Sequence, residues 1–137
     1  MEFKTVGGHT FCPELLTDGV IIDVGCRGFE FVDYFKNNYG YCIDPDKKVF
    51  MGLIEPIGKT FLNLAISDKS GHAAYYDNGE GTVLKELDPD PNHPFIPCKT
   101  ITMDELYVIT GTNVDILKLD CEGAEYMILG ESFKPIP

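Results

Sequence analysis

Three carboxylates fall within six residues in Asp120-Cys121-Glu122-Gly123-Ala124-Glu125, directly after the apolar run Val114 to Leu119. A helix starting near Glu122 would offer free N–H groups to acids in its first turn, and such capping accounts for the acidity. It does not account for a further carboxylate, Asp23, that closes the apolar run from Val20 and leads into the turn Gly25-Cys26-Arg27-Gly28. Glycines there let backbone approach a ligand closely, and the helix start that follows presents donors to it; the alternative is a tight turn that needs glycine for conformation only. Asp44 ends the next short run 21 residues after Asp23, the reach at which an acid accepts hydrogen bonds from both hydroxyls of a ribose. Its alternative is a helix cap, with Asp44 or Asp46 opening a helix begun at Pro45. Ser67-Asp68 closes a further run, where an oxygen can accept from the exocyclic amine of a purine, although Ser-Asp-Lys-Ser-Gly is also an ordinary turn.

These residues need elements to hold them. Val20 to Val24 is a short apolar run closed by glycine, which suits a strand buried on both faces of a parallel sheet. Phe31, Val32, Phe35 and Tyr39 share one face of a predicted helix, with Asp33, Lys36 and Asn37 pointing away. Tyr41 to Ile43 is the next strand, and Val49, Phe50, Leu53 and Ile54 supply a second helical face before Pro56 and Gly58. Phe61 to Ile66 is predicted as the third strand and His72 to Tyr76 as a further extended piece. Residues 77–97 carry Pro89, Pro91, Pro94 and Pro97, too irregular for a plain connection and readable either as a lid or substrate wall or as an excursion with no role. Order resumes at Cys98 to Thr102, Thr102 and Glu105 have capping-box spacing for a short helix through Leu106, and Val114 to Leu119 is the next strand. A last helix over 122–132 buries Ala124, Met127 and Ile128. The alternation predicts an α/β fold, an open and mostly parallel sheet with right-handed crossovers, whose ligand site lies beyond the carboxyl ends of the strands.

The chain has 137 residues, room for a single domain. Its 22 acidic against 11 basic residues give a net charge of −11, which repels phosphate backbones and argues against nucleic acid as a partner. No run of about 18 apolar residues predicts a membrane span, and the opening MEFKTVGGHT lacks the order of a secretory signal, so a cytoplasmic protein is expected. The five cysteines include no CxxC pair and no histidine at ligand spacing, so reduced, mostly buried thiols are expected and no zinc site. A nucleophilic role for Cys26 or Cys121 would need a nearby base that the sequence does not place.

The runs IIDVGCRGFEF, YCIDPD, LAISDKSG, TITMDELY and VDILKLDCEGAEYMIL, in that order over residues 20–129, resemble the FkbM-type S-adenosylmethionine-dependent methyltransferases. The resemblance implies a Rossmann-like class I methyltransferase fold. In it Asp23, Gly25, Cys26, Arg27 and Gly28 surround the amino-acid part of S-adenosylmethionine, Asp44 binds its ribose, and Ser67 and Asp68 lie at its adenine. The implied reaction is methyl transfer to a hydroxyl of a sugar or other small molecule, with Asp120 and Glu122 as candidate bases. A helix amino terminus makes a carboxylate a poorer base, which favours Asp120 over Glu122; His72 and His93 are further candidates. The resemblance also implies strands after the 122–132 helix, so residues 1–137 are expected to be a partial domain lacking the last strands. The 114–119 strand would then be an edge open to self-association, with a smaller core. Two rival readings stay open: a nicotinamide-dependent oxidoreductase, which lacks here the third glycine of GxGxxG, and a methyltransferase-like fragment that only binds cofactor or a partner.

Overall fold

The computed structural model describes residues 2–6, 8–77, 82–85 and 96–120. A hairpin of β1 (Lys4–Val6) and β2 (His9–Phe11) comes first, followed by β3 (Val20–Val24), α1 (Glu30–Asp33), β4 (Gly40–Ile43) and β5 (Lys59–Leu62). Then come β6 (Ala65–Ile66), β7 (Gly71–Asp77), β8 (Thr82–Lys85), β9 (Ile96–Ile101), α2 (Met103–Thr110) and β10 (Val114–Leu119). No helix among the described residues is long and apolar enough to cross a membrane.

The central sheet is parallel throughout, in the order β10-β3-β4-β5. From β3 the chain steps outward through β4 to β5, then returns to place β10 on the other side of β3. That reversal is a topological switch point, where the loops leaving adjacent strands splay apart and open a crevice. Side chains on both faces of β3 and β4 are buried, as their continuous apolar runs require. On one face Ile22, Val24 and Ile43 pack with Ile66, Ile101, Met103 and Leu106. On the other Ile21 and Cys42 pack with Cys26, Phe29, Phe31, Val32, Phe35 and Phe50. Among the described residues β10 pairs with β3 alone and its six residues are half-buried.

A second sheet, β6-β9-β7-β8, is mixed, with β6 parallel to β9 and the other pairs antiparallel. It delivers the chain to α2, whose capping box forms as expected: Thr102 Oγ1 accepts from the Glu105 N–H and Glu105 Oε1 from the Thr102 N–H, both at 3.2 Å. The helix runs to Thr110, a full turn beyond Leu106, and stops where Gly111 takes φ 86° and donates to Tyr107 O.

The structure corrects several sequence expectations. The helix after the glycine turn is only Glu30–Asp33, and Tyr39 is exposed rather than on its buried face. Lys59, itself buried, reaches back to donate its Nζ to the carbonyls of Phe35 (2.7 Å) and Asn38. With those acceptors taken, the chain turns into β4, where Gly40 passes so close that a Cβ would sit 2.9 Å from Val32 Cβ. The second predicted helix is a single 3₁₀ turn over Lys47–Phe50, leaving Leu53 and Ile54 exposed. The predicted strand Phe61 to Ile66 divides between two sheets, because Leu64 N–H turns back to Leu62 O at 2.9 Å. Within 77–97 the structure forms β8 and the start of β9, and the N-terminal hairpin was not anticipated. The predicted helix over 122–132 lies outside the described residues, as do Glu122, Cys121 and His93.

At the opposite end of the sheet from the switch, Asp115 of β10 accepts from Thr17 N–H (2.8 Å) and Thr17 Oγ1 (2.6 Å). Buried Asn38 donates its Nδ2 to Gly19 O (2.6 Å), Thr17 O (3.1 Å) and Asp115 Oδ2 (3.3 Å). This network fastens the entries of β3 and β10 to the turn before β4. Asn38→Ala, which strands buried acceptors, is expected to lower unfolding free energy by about 1–3 kcal/mol. In urea unfolding the loss should fall well short of additive with Asp115→Ala, since the two residues share partners.

Candidate functional site

Asp23 occupies the fourth position of β3, where the alternation of the strand turns it toward α1 and its register partner on β10 is Lys118. The ammonium of Lys118 lies 3.0 Å from Asp23 Oδ1. Burial pushes the Asp23 carboxyl above its ordinary range; Lys118 opposes this by charge and hydrogen bond, His9 opposes it more weakly, and Asp120 adds to it. Asp120 therefore stands within electrostatic reach of Asp23. Its N–H donates to Val24 O at 2.9 Å, which fixes the exit of β10 beside the exit of β3, and the residue is exposed. Asp23 and Asp120, one from each of the two acidic motifs in the sequence, do converge.

Between them runs the glycine turn. Gly25 adopts φ 82° while its N–H donates to Ile43 O at 2.8 Å, and Gly28 adopts φ 137° with nothing within 4 Å of where a Cβ would stand. An L side chain at either position would be strained, and the space above Gly28 is open backbone that a ligand can approach. Cys26 is buried beneath the turn and Arg27 is exposed above it.

Asp44 follows β4 and is buried, with Oδ1 accepting from Asp46 N–H at 2.7 Å. Asp46, not Asp44, caps the 3₁₀ turn by accepting from Lys48 N–H. The cap thus belongs to one acid and leaves the other at the strand tip. Burial above all, and the neighbouring charge of Asp46, raise the Asp44 carboxyl to about 6. Arg27 lowers it, which puts the turn and the acid in one electrostatic neighbourhood. Ser67 and Asp68 are placed differently from the expectation: they follow β6 in the second sheet, not a strand of the central parallel sheet. Ser67 is buried, donates its N–H to Ile101 O (2.9 Å) and its Oγ to Asp68 Oδ1 (3.1 Å), while Asp68 is exposed.

Two residues at this site escaped the sequence reading. Lys118 interrupts the apolar run of β10, and a cation between Leu117 and Leu119 of a half-buried strand is the signal that could have found it. His9 arrives on the N-terminal hairpin, held edge-on to Phe31 at 5.7 Å, while Phe11 packs on Phe35 at 5.0 Å. His9, Asp23, Arg27, Gly28, Glu30, Phe31 and Lys118 line a cleft of about 170 Å³ with both signs of charge on its walls. That is short of the roughly 300–1,000 Å³ that encloses a drug-sized ligand, and suits the charged end of one.

Two expectations follow. Lys118→Met leaves the Asp23 carboxylate buried without its cation and should lower unfolding free energy at pH 7 by about 3–5 kcal/mol, with much of the loss recovered in the Asp23→Asn, Lys118→Met double variant. The Asp44 carboxyl holds its proton more tightly folded than unfolded, so the native protein loses stability as pH rises from about 4 through about 6. Asp44→Asn removes that loss, and its unfolding free energy relative to the parent should improve by up to about 3 kcal/mol between pH 4 and pH 7 in urea titrations.

Comparison with protein families matches the chain to the methyltransferase FkbM domain over residues 23–135. No curated protein and no solved structure gives a significant match. The matched span opens at Asp23 and takes in the glycine turn, Asp44, the second sheet and the Asp120 exit. The mixed α/β architecture with its four-stranded parallel sheet is compatible with a Rossmann-like methyltransferase fold. The chain belongs to the FkbM methyltransferase domain family.

Proposed function

We propose that the chain is an S-adenosylmethionine-dependent methyltransferase of the Rossmann-like class I kind, acting on a hydroxyl of a sugar or other small molecule. The observation that carries this reading is the meeting of Asp23, the open glycine turn and Asp120 at the one place where the parallel sheet reverses its strand order. Three features fit the cofactor. The open space above Gly28 admits a ligand to the backbone, the mixed charges of the cleft suit a zwitterionic amino-acid end, and the Asp44 carboxylate at the adjacent strand tip suits a ribose diol. Ser67 and Asp68 keep their proposed place at the adenine as the oxygens that end β6.

S-adenosylmethionine supplies, when bound, a methyl group on a positively charged sulfur. The protein's contribution is chiefly alignment, and the rigid register of β3 and β10 provides it. Asp120 is the proposed base: its backbone is fixed by the bond to Val24 O while its side chain is exposed to an incoming hydroxyl. Holding that proton is typically worth about 100- to 10,000-fold in rate. Glu122 is the second candidate. The net charge of −11 favours a small acceptor over nucleic acid.

Titration calorimetry should show S-adenosylmethionine and S-adenosylhomocysteine binding and NAD failing to bind. Asp120→Asn should keep that binding while methyl transfer falls by about 100-fold or more. Loss of binding in this variant would move Asp120 into the cofactor site. A chain that binds none of the three ligands is an interaction module and not an enzyme.

A further inference from the structure

Spacing along the chain gives no metal-binding pattern, but the fold assembles one. In the parallel pairing of β3 with β4, Asp23 and Cys42 are Cα partners, so their side chains stand next to each other on the same face. The left-handed turn at Gly25 (φ 82°) then folds the chain back and delivers Cys26 to the cluster that holds Cys42. Asp23, Cys26 and Cys42 are 2%, 1% and 0% exposed, and a carboxylate oxygen and both sulfurs lie within 4.8 Å of one another. Two 2.3 Å zinc–sulfur bonds at a tetrahedral angle place their sulfurs about 3.8 Å apart, so closing the group on an ion takes a movement of about 1 Å or less.

We propose that Asp23, Cys26 and Cys42 form a binding site for a thiophilic divalent cation of the zinc class. The ligands are one carboxylate oxygen and two thiolates, with water in the fourth position, and Asp23 is the ligand that also lines the cleft. As the ion enters, each thiol releases its proton and a metal–sulfur bond replaces each S–H bond. The double positive charge offsets the two thiolates. The remaining charge of Asp23 is balanced by Lys118 at 3.0 Å, which also orients the ligating carboxylate from outside the coordination shell. The buried cluster is thus neutral with and without the ion. Thiolates select zinc, cadmium or copper(I) over magnesium and calcium. Cys12 and Cys98 are free thiols outside this group and serve as internal controls.

The test uses the full reduced chain, stripped with a chelator and without cofactor, so its outcome is independent of the methyl-transfer reading. Cadmium titration should produce thiolate-to-metal absorption saturating at one ion per chain with the intensity of two thiolates. Zinc calorimetry repeated in buffers of different ionisation enthalpy should report two protons released per ion. Cys26→Ala and Cys42→Ala should each weaken zinc binding by about 100-fold or more, and Cys12→Ala and Cys98→Ala should not weaken it. The wild-type cadmium spectrum stands even where a core variant fails to fold. No thiolate absorption in the wild-type chain, or binding that follows Cys12 or Cys98 in place of Cys26 and Cys42, overturns the site.

Discussion

Asp23 and Lys118 stand 95 positions apart in the chain, yet they are Cα partners in the parallel pairing of β3 with β10 and close it with a buried ion pair. Such pairs add little net stability, because desolvating both charges consumes most of their attraction. Their value here is in register. A slip of one residue would turn Lys118 to the opposite face, among Ile22, Val24 and Ile43, and set a leucine against the Asp23 carboxylate. Only one alignment keeps both charges paired, and in that alignment Asp120 N–H meets Val24 O. The convergence of Asp23 and Asp120 is therefore a consequence of strand register, and the functional reading stands on it.

Carboxylates at the tips of buried strands are unfavourable unless something holds them, and each described one is held differently. Asp23 has a cation, Asp44 has the N–H of Asp46, and Asp120 reaches solvent. Burial raises the carboxyls of Asp23 and Asp44, the latter to about 6, so these two strand tips hold a proton more tightly than a free acid does.

How much of this was legible in the sequence follows from the range of the forces involved. The strand Val20 to Val24, the strand Val114 to Leu119, the glycine turn and the Thr102 capping box were readable because each is decided by neighbours within a few residues. The long helix through Tyr39 failed because Lys59, twenty residues away, takes the carbonyls at its expected continuation. The unbroken third strand failed because β9 lies alongside Ala65 and Ile66 and draws them into another sheet. Around the cleft, Asp23, Gly25, Gly28 and Asp120 stood out by residue type at strand ends. Lys118, His9 and the nearness of Cys42 to Cys26 were not, since all three depend on pairings between distant segments. Ser67 and Asp68 were located on the chain but assigned to the wrong sheet.

The half-buried strand β10 has a further consequence during synthesis. At about 5–20 residues per second, the ribosome takes roughly 5–20 s to travel from Asp23 to Lys118. Through that interval β3 can pair with β4 while its other side presents unsatisfied backbone groups to whatever strand is nearest, including the same segment of a neighbouring nascent chain on one messenger. Yield in a cell should then be governed less by the finished protein's stability than by how well chaperones shield β3 until its late partner emerges.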